Sequence, residues 1–254
     1  MIKRNFLIAT LGAVTLLAAN APAAVLDLRT THTGTINGAI FTTDFRQPTG
    51  TGVFNPFLSM QNSPMQQGYN SNTGNFDTKR EPQWNHEIRL SDLRITNFGG
   101  VNYFGFVVDI NEPNSPNQSM ISLDALRIWT SPTTQYSLLT DANGFFNGPL
   151  GQLRYDLGNN SVLYDDRNSG SGQSDIQFYI PVEFFAGAQS TDYVYMYQRW
   201  GGADSSQGGF EETAIAQGIV STPELSSFFP IIGLMVAVLS TQILRRRRAA
   251  QLTA

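Results

Sequence analysis

The stretch FGGVNYFGFVVDI, residues 98–110, decides the fold class. It mixes aromatic with β-branched side chains, as a buried strand of a β-sandwich does. Its neighbours repeat the message. SMISLDALRIWTS (119–131) alternates Ile121 and Leu123, then Leu126 and Ile128, around an irregularity at Asp124–Ala125. SDIQFYIPV (174–182) sets Ile176, Phe178 and Ile180 on one face. DYVYMYQRW (192–200) sets Tyr193, Tyr195, Tyr197 and Arg199 opposite Val194, Met196, Gln198 and Trp200, the period of two of a strand. HEIRLSDLRITNF (86–98) gives two more alternating stretches around Ser91–Asp92. QLRYDL (152–157) and SVLYDD (161–166) flank Gly158-Asn159-Asn160, which predicts a tight hairpin turn. PVEFFAGAQ (181–189) suits one helical turn with Pro181 at its start, where the missing N–H does no harm. No segment of the body keeps a helical period for three turns, and no internal repeat is visible. Clusters of Asn, Gly, Ser and Pro at roughly ten-residue spacing then predict an all-β protein, an antiparallel β-sandwich or jelly roll.

Two polar stretches interrupt the pattern. Residues 47–77 are rich in Asn, Gly, Gln, Ser and Pro and are expected to form a long exposed or loosely ordered loop. Phe54, Phe57, Met60 and Tyr69 are its possible tacks onto the sheet. RNSGSGQSD, from Arg167, is expected to be a shorter flexible loop.

The two ends carry targeting signals. Lys3 and Arg4 precede an apolar run from Phe6 to Ala18, and ANAPAA offers small residues for cleavage between Ala23 and Ala24. Charge, apolar core and small-residue exit predict a secretory signal peptide over residues 1–23. Residues 24–218 form the exported sandwich domain, and 219–227 a linker with a Pro-Glu motif. The run Phe228–Leu244 has no charged residue, and only Ser240, Thr241 and Gln242 are polar. As a helix it reaches roughly 25 Å, enough for a thin hydrocarbon core. Arg245, Arg246, Arg247 and Arg248 open a basic tail (245–254) that is expected to stay cytoplasmic, because arginine crosses a bilayer at high cost.

Between those segments, about two hundred residues suffice for one domain with a sizeable core. Ten basic residues face nineteen acidic ones from Ala24 to Thr222, a net charge near −9 that the whole-chain value of −4 hides. Such a body argues against nucleic acid or anionic lipid as partner. The chain has no cysteine, which removes disulfides, thiolate metal sites and cysteine nucleophiles.

Candidate chemistry is sparse. The only histidines, His32 and His86, are expected to be structural or solvent-facing, and no zinc-ligand spacing surrounds them. A Ser/His/Asp set would draw on distant positions, and no G-x-S-x-G elbow nominates its serine. Carboxylates are more numerous. Asp109, Glu112 and Asp124, with Asp165 and Asp166 beside them, sit at strand ends where oxygen ligands could gather around calcium. The first three are the candidate metal residues; the bland reading is that each caps a turn through its own backbone. Glu211 and Glu212 in GGFEETA are the visible carboxylate pair, yet neighbours on a strand point to opposite faces and make poor partners for glycosidase chemistry. Tyr193, Tyr195 and Tyr197, with Trp84, Trp129 and Trp200 elsewhere, could offer a platform for sugar rings. The expectation is that this face lies inside the sandwich.

TPELSSFFPIIGLMVAVLSTQILRRRR, from Thr222, resembles the PEP-CTERM sorting signal of Gram-negative bacteria that make extracellular polysaccharide. That signal joins a Pro-Glu-Pro-like motif, a short transmembrane helix and an arginine-rich end. Here Pro223, Glu224 and Leu225 stand at the motif, so the second proline is missing while the three-part layout is kept. The resemblance covers about thirty residues. It implies processing by exosortase, a membrane protease-transpeptidase, and hence sorting rather than activity. VVDINEPNS, SLDALRIWTS, LRYDLGNNSVLYDD and GGFEE, in that order, also resemble the exported part of some such proteins and add only an expectation of fold.

Three functional readings follow in order of preference. The first is a non-enzymatic surface or matrix protein. The second is a carbohydrate-binding module for extracellular polysaccharide, with or without calcium. The third is a polysaccharide-active enzyme using Glu211 or Asp109.

Overall fold

The structure, a computed structural model, describes residues 23–44, 55–113, 115, 118–166 and 174–217. The alternating stretches become strands, because only a pleated backbone sends successive side chains to opposite faces. In chain order these are β1 (Val25–Asp27), β2 (Thr33–Ile36), β3 (Ala39–Thr42), β4 (Leu58–Met60), β5 (Gln66–Tyr69), β6 (Ile88–Arg89) and β7 (Ile95–Phe98). Then follow β8 (Val101–Ile110), β9 (Met120–Ser131), β10 (Gln152–Asp156), β11 (Ser161–Asp165), β12 (Ile176–Pro181), β13 (Tyr193–Trp200) and β14 (Glu211–Ile215). A single helical turn, α1 (Leu28–Thr31), follows β1, and Pro181 caps the 3₁₀ turn Val182–Phe185 as expected.

The strands form two sheets. In the first, β9 pairs along one edge with β13, which in turn pairs with β6 and β5; its other edge carries β10 and β11, and β1 joins β11 as a parallel strand. The second runs β2-β3-β12-β8-β14-β4, with β7 also on β8, and all of its pairs are antiparallel. The inner faces of both sheets bury one apolar cluster. Phe41, Phe106 and Phe178 of the second sheet meet Ile121, Leu123, Val194, Met196 and Trp200 of the first, with the Phe106 and Phe178 rings stacked at 5.2 Å. The fold is an all-β two-sheet sandwich.

Three expectations are corrected. The tyrosines of β13 do not face the inside. Val194 and Met196 do, while Tyr195 and Tyr197 lie on the outer face in a second buried layer with Tyr69, Trp129, Phe146 and Leu150. The connection after β9 folds back over that face and inserts Phe146 among the rings, 5.1 Å from Tyr69 and 5.2 Å from Tyr197. An aromatic face roofed this way is a second, smaller core outside the two-sheet interior, not an open platform. Gly158 is also no hairpin turn. β10 and β11 both pair antiparallel with β9, against 127–130 and 120–123, so they run in one direction along one edge. The Gly158 N–H turns back to Asp156 Oδ1 at 2.8 Å, and the Leu157 N–H still reaches the carbonyl of Leu126, so the glycine makes an interruption without a reversal.

The polar stretch 47–77 is likewise more than a loop. From residue 55 on it supplies β4 and β5, and it buries Phe57, Met60 and Tyr69. Residues 1–22, where a signal peptide is expected, 45–54, 114, 116–117, 167–173 and everything from 218 on, including the run 228–244, lie outside the described residues. Among those described, no helix is long and apolar enough to cross a membrane.

Candidate functional site

The three carboxylates nominated for calcium are not brought together: among the described residues, no group of three or more His, Asp or Glu side chains could hold one ion. Asp124 sits on β9 and closes the turn after β13. Its Oδ2 accepts from the N–H of Gly202 at 2.6 Å and from Ser122 Oγ at 2.7 Å, the capping role its residue type suggests. Asp109 is buried on β8 opposite Glu212 of β14, on the outer face of the second sheet. Glu112 lies just past the end of β8 and meets Glu211 instead.

Glu211 and Glu212 diverge as strand geometry requires. Glu212 shares the outer face with Ser59, whose hydroxyl donates to Glu212 Oε1 at 3.3 Å. Burial pushes the Glu212 carboxyl above the usual carboxylate range, partly offset by Ser59 and Lys79. Glu211 faces inward, on the side of Thr213 and Ile215, and is fully buried. This end of the sandwich interior is polar. Thr213 Oγ1 and Trp200 Nε1 both donate to Gln198 Oε1, at 3.1 and 3.0 Å.

Beside that seam, Gln66 Nε2 contacts Glu211 Oε2 closely and also donates to Ser206 Oγ at 3.0 Å. Ser206 Oγ lies 2.8 Å from Glu112 Oε1, and the Gln207 N–H donates to Glu112 Oε2 at 2.8 Å. A side-chain hydrogen bond joins the two glutamates, and the Gly209 N–H also serves Glu112. Burial, then the charge of Glu112, push Glu211 well above the carboxylate range; burial raises Glu112 as well, against the hydrogen bonds from Ser206, Gln207 and Gly209, so Glu211 is the one of the pair that holds a proton more firmly. The glycines of GGFEE make this meeting possible. Gly208 takes φ +90°, and a Cβ on Gly209 would stand 1.9 Å from the Asn111 carbonyl oxygen.

A second place is open to solvent. Ser71–Thr73 after β5, Glu87 before β6, and Thr134–Tyr136 after β9 line a cleft of about 500 Å³. Its polar groups brace one another. The Tyr195 hydroxyl donates to Glu87 Oε1 at 2.6 Å and accepts from the Gln135 N–H at 2.7 Å. Asn72 Nδ2 donates to Glu87 Oε2 at 2.8 Å, while the Glu87 N–H returns a bond to Asn72 Oδ1. Burial and the neighbouring Glu87 hold the Tyr195 phenol above its ordinary range, so it remains a donor. Tyr136 stands 55% exposed at the rim, with its hydroxyl 3.3 Å from the Gly74 carbonyl. Fixed amide and carboxylate groups beside an exposed ring can bind an amphipathic, hydroxyl-rich ligand.

The histidines stand apart from both places. His32 caps α1 and lies 3.4 Å from Thr43 Oγ1; His86 Nδ1 lies 2.8 Å from the Pro82 carbonyl. Asp165 accepts from Ser119 Oγ at 2.6 Å, tying the start of β9 to β11. Sequence reasoning missed Gln66 and Ser206, and all of the cleft residues. The cleft unites three distant segments; the one usable signal was apolar YSLL (136–139) inside a polar loop, where Tyr136, Leu138 and Leu139 all stand exposed.

The fold and the two sites thus define an all-β sandwich with a braced surface cleft and a buried carboxyl pair. Comparison of the chain with protein-family models, curated proteins and solved structures finds no match.

Proposed function

We propose that this chain is an exported, non-catalytic protein of the cell surface or extracellular matrix. It carries a PEP-CTERM-like sorting and anchoring signal for an exosortase, and its sandwich binds extracellular polysaccharide in the cleft at Glu87 and Tyr136. The observation that carries the binding role is the cleft itself: an exposed ring beside hydrogen-bonding groups already locked in place, which lowers the ordering cost of binding. Among the described residues that line it, Glu87 is the sole carboxylate, and both its oxygens are engaged. Hydrolysis of a glycosidic bond calls on two carboxylates across the sugar, so binding is the better supported role.

Export rests on the sequence. Pro223, Glu224 and Leu225, the apolar run and Arg245 to Arg248 supply the C-terminal signal. Ala23 and Ala24 are exposed, and the first strand begins only at Val25, which leaves room for cleavage between them. The acidic body suits a neutral glycan partner better than a polyanion.

The test is a titration of the detergent-solubilised full chain against neutral and acidic oligosaccharides, alongside Tyr136→Ala and Asn72→Ala. Removing the ring should weaken binding about threefold to tenfold, the worth of one aromatic contact. Absence of glycan binding, or binding that neither substitution alters, would overturn the assignment of the cleft.

A further inference from the structure

We propose that Glu87 makes the cleft selective for neutral glycans with free hydroxyls on adjacent ring carbons, each carboxylate oxygen receiving one hydroxyl hydrogen. This deepens the reading of the cleft as a glycan site and rests on it. The first observation is how the carboxylate is held. The Tyr195 hydroxyl donates to Oε1 at 2.6 Å, and Asn72 Nδ2 donates to Oε2 at 2.8 Å. The Glu87 N–H donates to Asn72 Oδ1 at 3.0 Å, which fixes the backbone as well. A carboxylate offers about four lone-pair sites on its two oxygens. One donor on each oxygen sets the plane of the group and leaves each oxygen a site for a ligand.

The second observation concerns charge. Among the described residues no ion pair forms on Glu87, and the cleft lining holds no Lys, Arg or His. Arg89, the nearest guanidinium along the chain, turns elsewhere. It donates to the Thr191 carbonyl and the Tyr193 hydroxyl, and lies over the Tyr193 ring at 4.3 Å. Half-buried Glu87 is therefore shared by neutral donors alone.

Both observations select the ligand. A sugar hydroxyl that donates to the carboxylate gains a charge-assisted bond, about twice as strong as a neutral one. Hydroxyls on adjacent carbons lie side by side and can use both oxygens at once. An ether, ester or fluorine in place of a hydroxyl brings no hydrogen and leaves an acceptor facing an acceptor. A uronate brings a like charge with no cation to receive it. An ammonium acts as a point charge and needs no fork of two oxygens. The exposed Tyr136 ring at the rim takes the C–H face of the sugar, a contact that none of these changes removes.

The experiment titrates the detergent-solubilised full chain with neutral glucose, mannose and galactose oligosaccharides. Each one that binds is compared with an analogue bearing fluorine in place of one hydroxyl of the adjacent pair, and with its C6-oxidised uronate. Wild type should bind both derivatives about tenfold more weakly than the parent, the loss of one hydrogen bond to a charged group. Glu87→Gln, which exchanges one acceptor for a donor and removes the charge, should bind the parent about tenfold more weakly and should no longer reject the uronate. Equal affinity of wild type for the parent and both derivatives would overturn the role of Glu87, whether or not the variant folds. If Tyr136→Ala still weakened binding in that case, the cleft would stand as a glycan site without this selectivity. Failure of every oligosaccharide to bind would overturn both. Tighter binding of a glucosamine oligomer, abolished by high salt, would overturn the neutral ligand in favour of a cationic one.

Discussion

At the scale of single residues, Glu211 sets the first prediction. Its carboxyl stays protonated in the folded chain at pH values where the unfolded chain, near the ordinary 4.5, has released the proton. The folded state therefore binds more protons. This contribution to stability is complete below about pH 4.5 and is lost as pH rises toward the folded-state value, by at most about 1.4 kcal/mol per pH unit. Glu211→Gln, compared with wild type across pH 4–9, should show a stability advantage that grows with pH. A difference independent of pH would mean that Glu211 is not protonated in the fold. Gly209 gives a second prediction. An alanine Cβ would press against the Asn111 carbonyl, so Gly209→Ala should cost about 3 kcal/mol in chemical denaturation. How much of this was legible differs residue by residue. Glu112 and Glu211 each stood out in the sequence as carboxylates, and the divergence of Glu211 from Glu212 followed from strand geometry. Their meeting did not, since Gln66, Glu112 and Ser206 reach Glu211 across separations that no local pattern encodes. Asp124 carried no mark to distinguish a ligand from the turn cap it is.

Among elements, the connection after β9 controls both the buried aromatic layer and the cleft. Gln67 of β5 fastens it. Gln67 Nε2 donates to the Gly144 carbonyl, and its Oε1 accepts from the Phe146 N–H at 2.9 Å and from the Tyr197 hydroxyl at 2.8 Å. Phe146→Ala removes the ring that Tyr69, Trp129 and Tyr197 surround, and should cost about 3–5 kcal/mol, read as a fall in Tm. Gln67→Ala leaves two donors without their acceptor and should cost about 1–3 kcal/mol. Hydrogen exchange separates this from a global effect: amides of 137–147 should exchange faster in Gln67→Ala while those of β8 and β12 keep their rank. Equal acceleration everywhere would show that the connection is part of the core. The long strands β8, β9, β12 and β13 were legible because each has a face committed to the core: β12 and β13 alternate, β9 resumes its alternation after the irregularity at Asp124–Ala125, and β8 shows as a run of aromatic and β-branched residues. β5 was not, because QQGY is polar where it packs: Gln66 joins the buried carboxyl cluster and Gln67 the roof of the sheet. Gly158 misled for a related reason, since a glycine-asparagine turn serves a strand interruption as well as a reversal. Which of the two occurs depends on β9 being long enough to pair with both flanks.

For the whole molecule, charge and targeting act together. The body, near −9, repels polyanions, so binding to a neutral glycan should change little between 50 and 500 mM salt, whereas a charge-driven partner would be lost. The C-terminal run obeys a different constraint. In the proposed topology, seventeen residues without charge would match a thin bilayer only as a helix, and the four consecutive arginines behind them would stop translocation with the body on the far side. The proposed signal peptide at the other end would start the same journey, so in this proposal both ends serve one outcome: a folded sandwich delivered outside while its tail stays behind. Cleavage near Pro223, Glu224 and Leu225 would then part the body from the arginines. In a host that has an exosortase, intact mass of the envelope-associated protein should show a species that starts near Ala24 and lacks Arg245 to Arg248. Without that enzyme, the same species should keep its tail and remain in the inner membrane. Truncation after Gln217 should send the body past the envelope into the medium. Recovery of the chain from the cytosol with both ends intact would contradict the proposed topology at its root, because a chain still carrying residues 1–23 and 245–254 on the inside has been neither exported nor sorted.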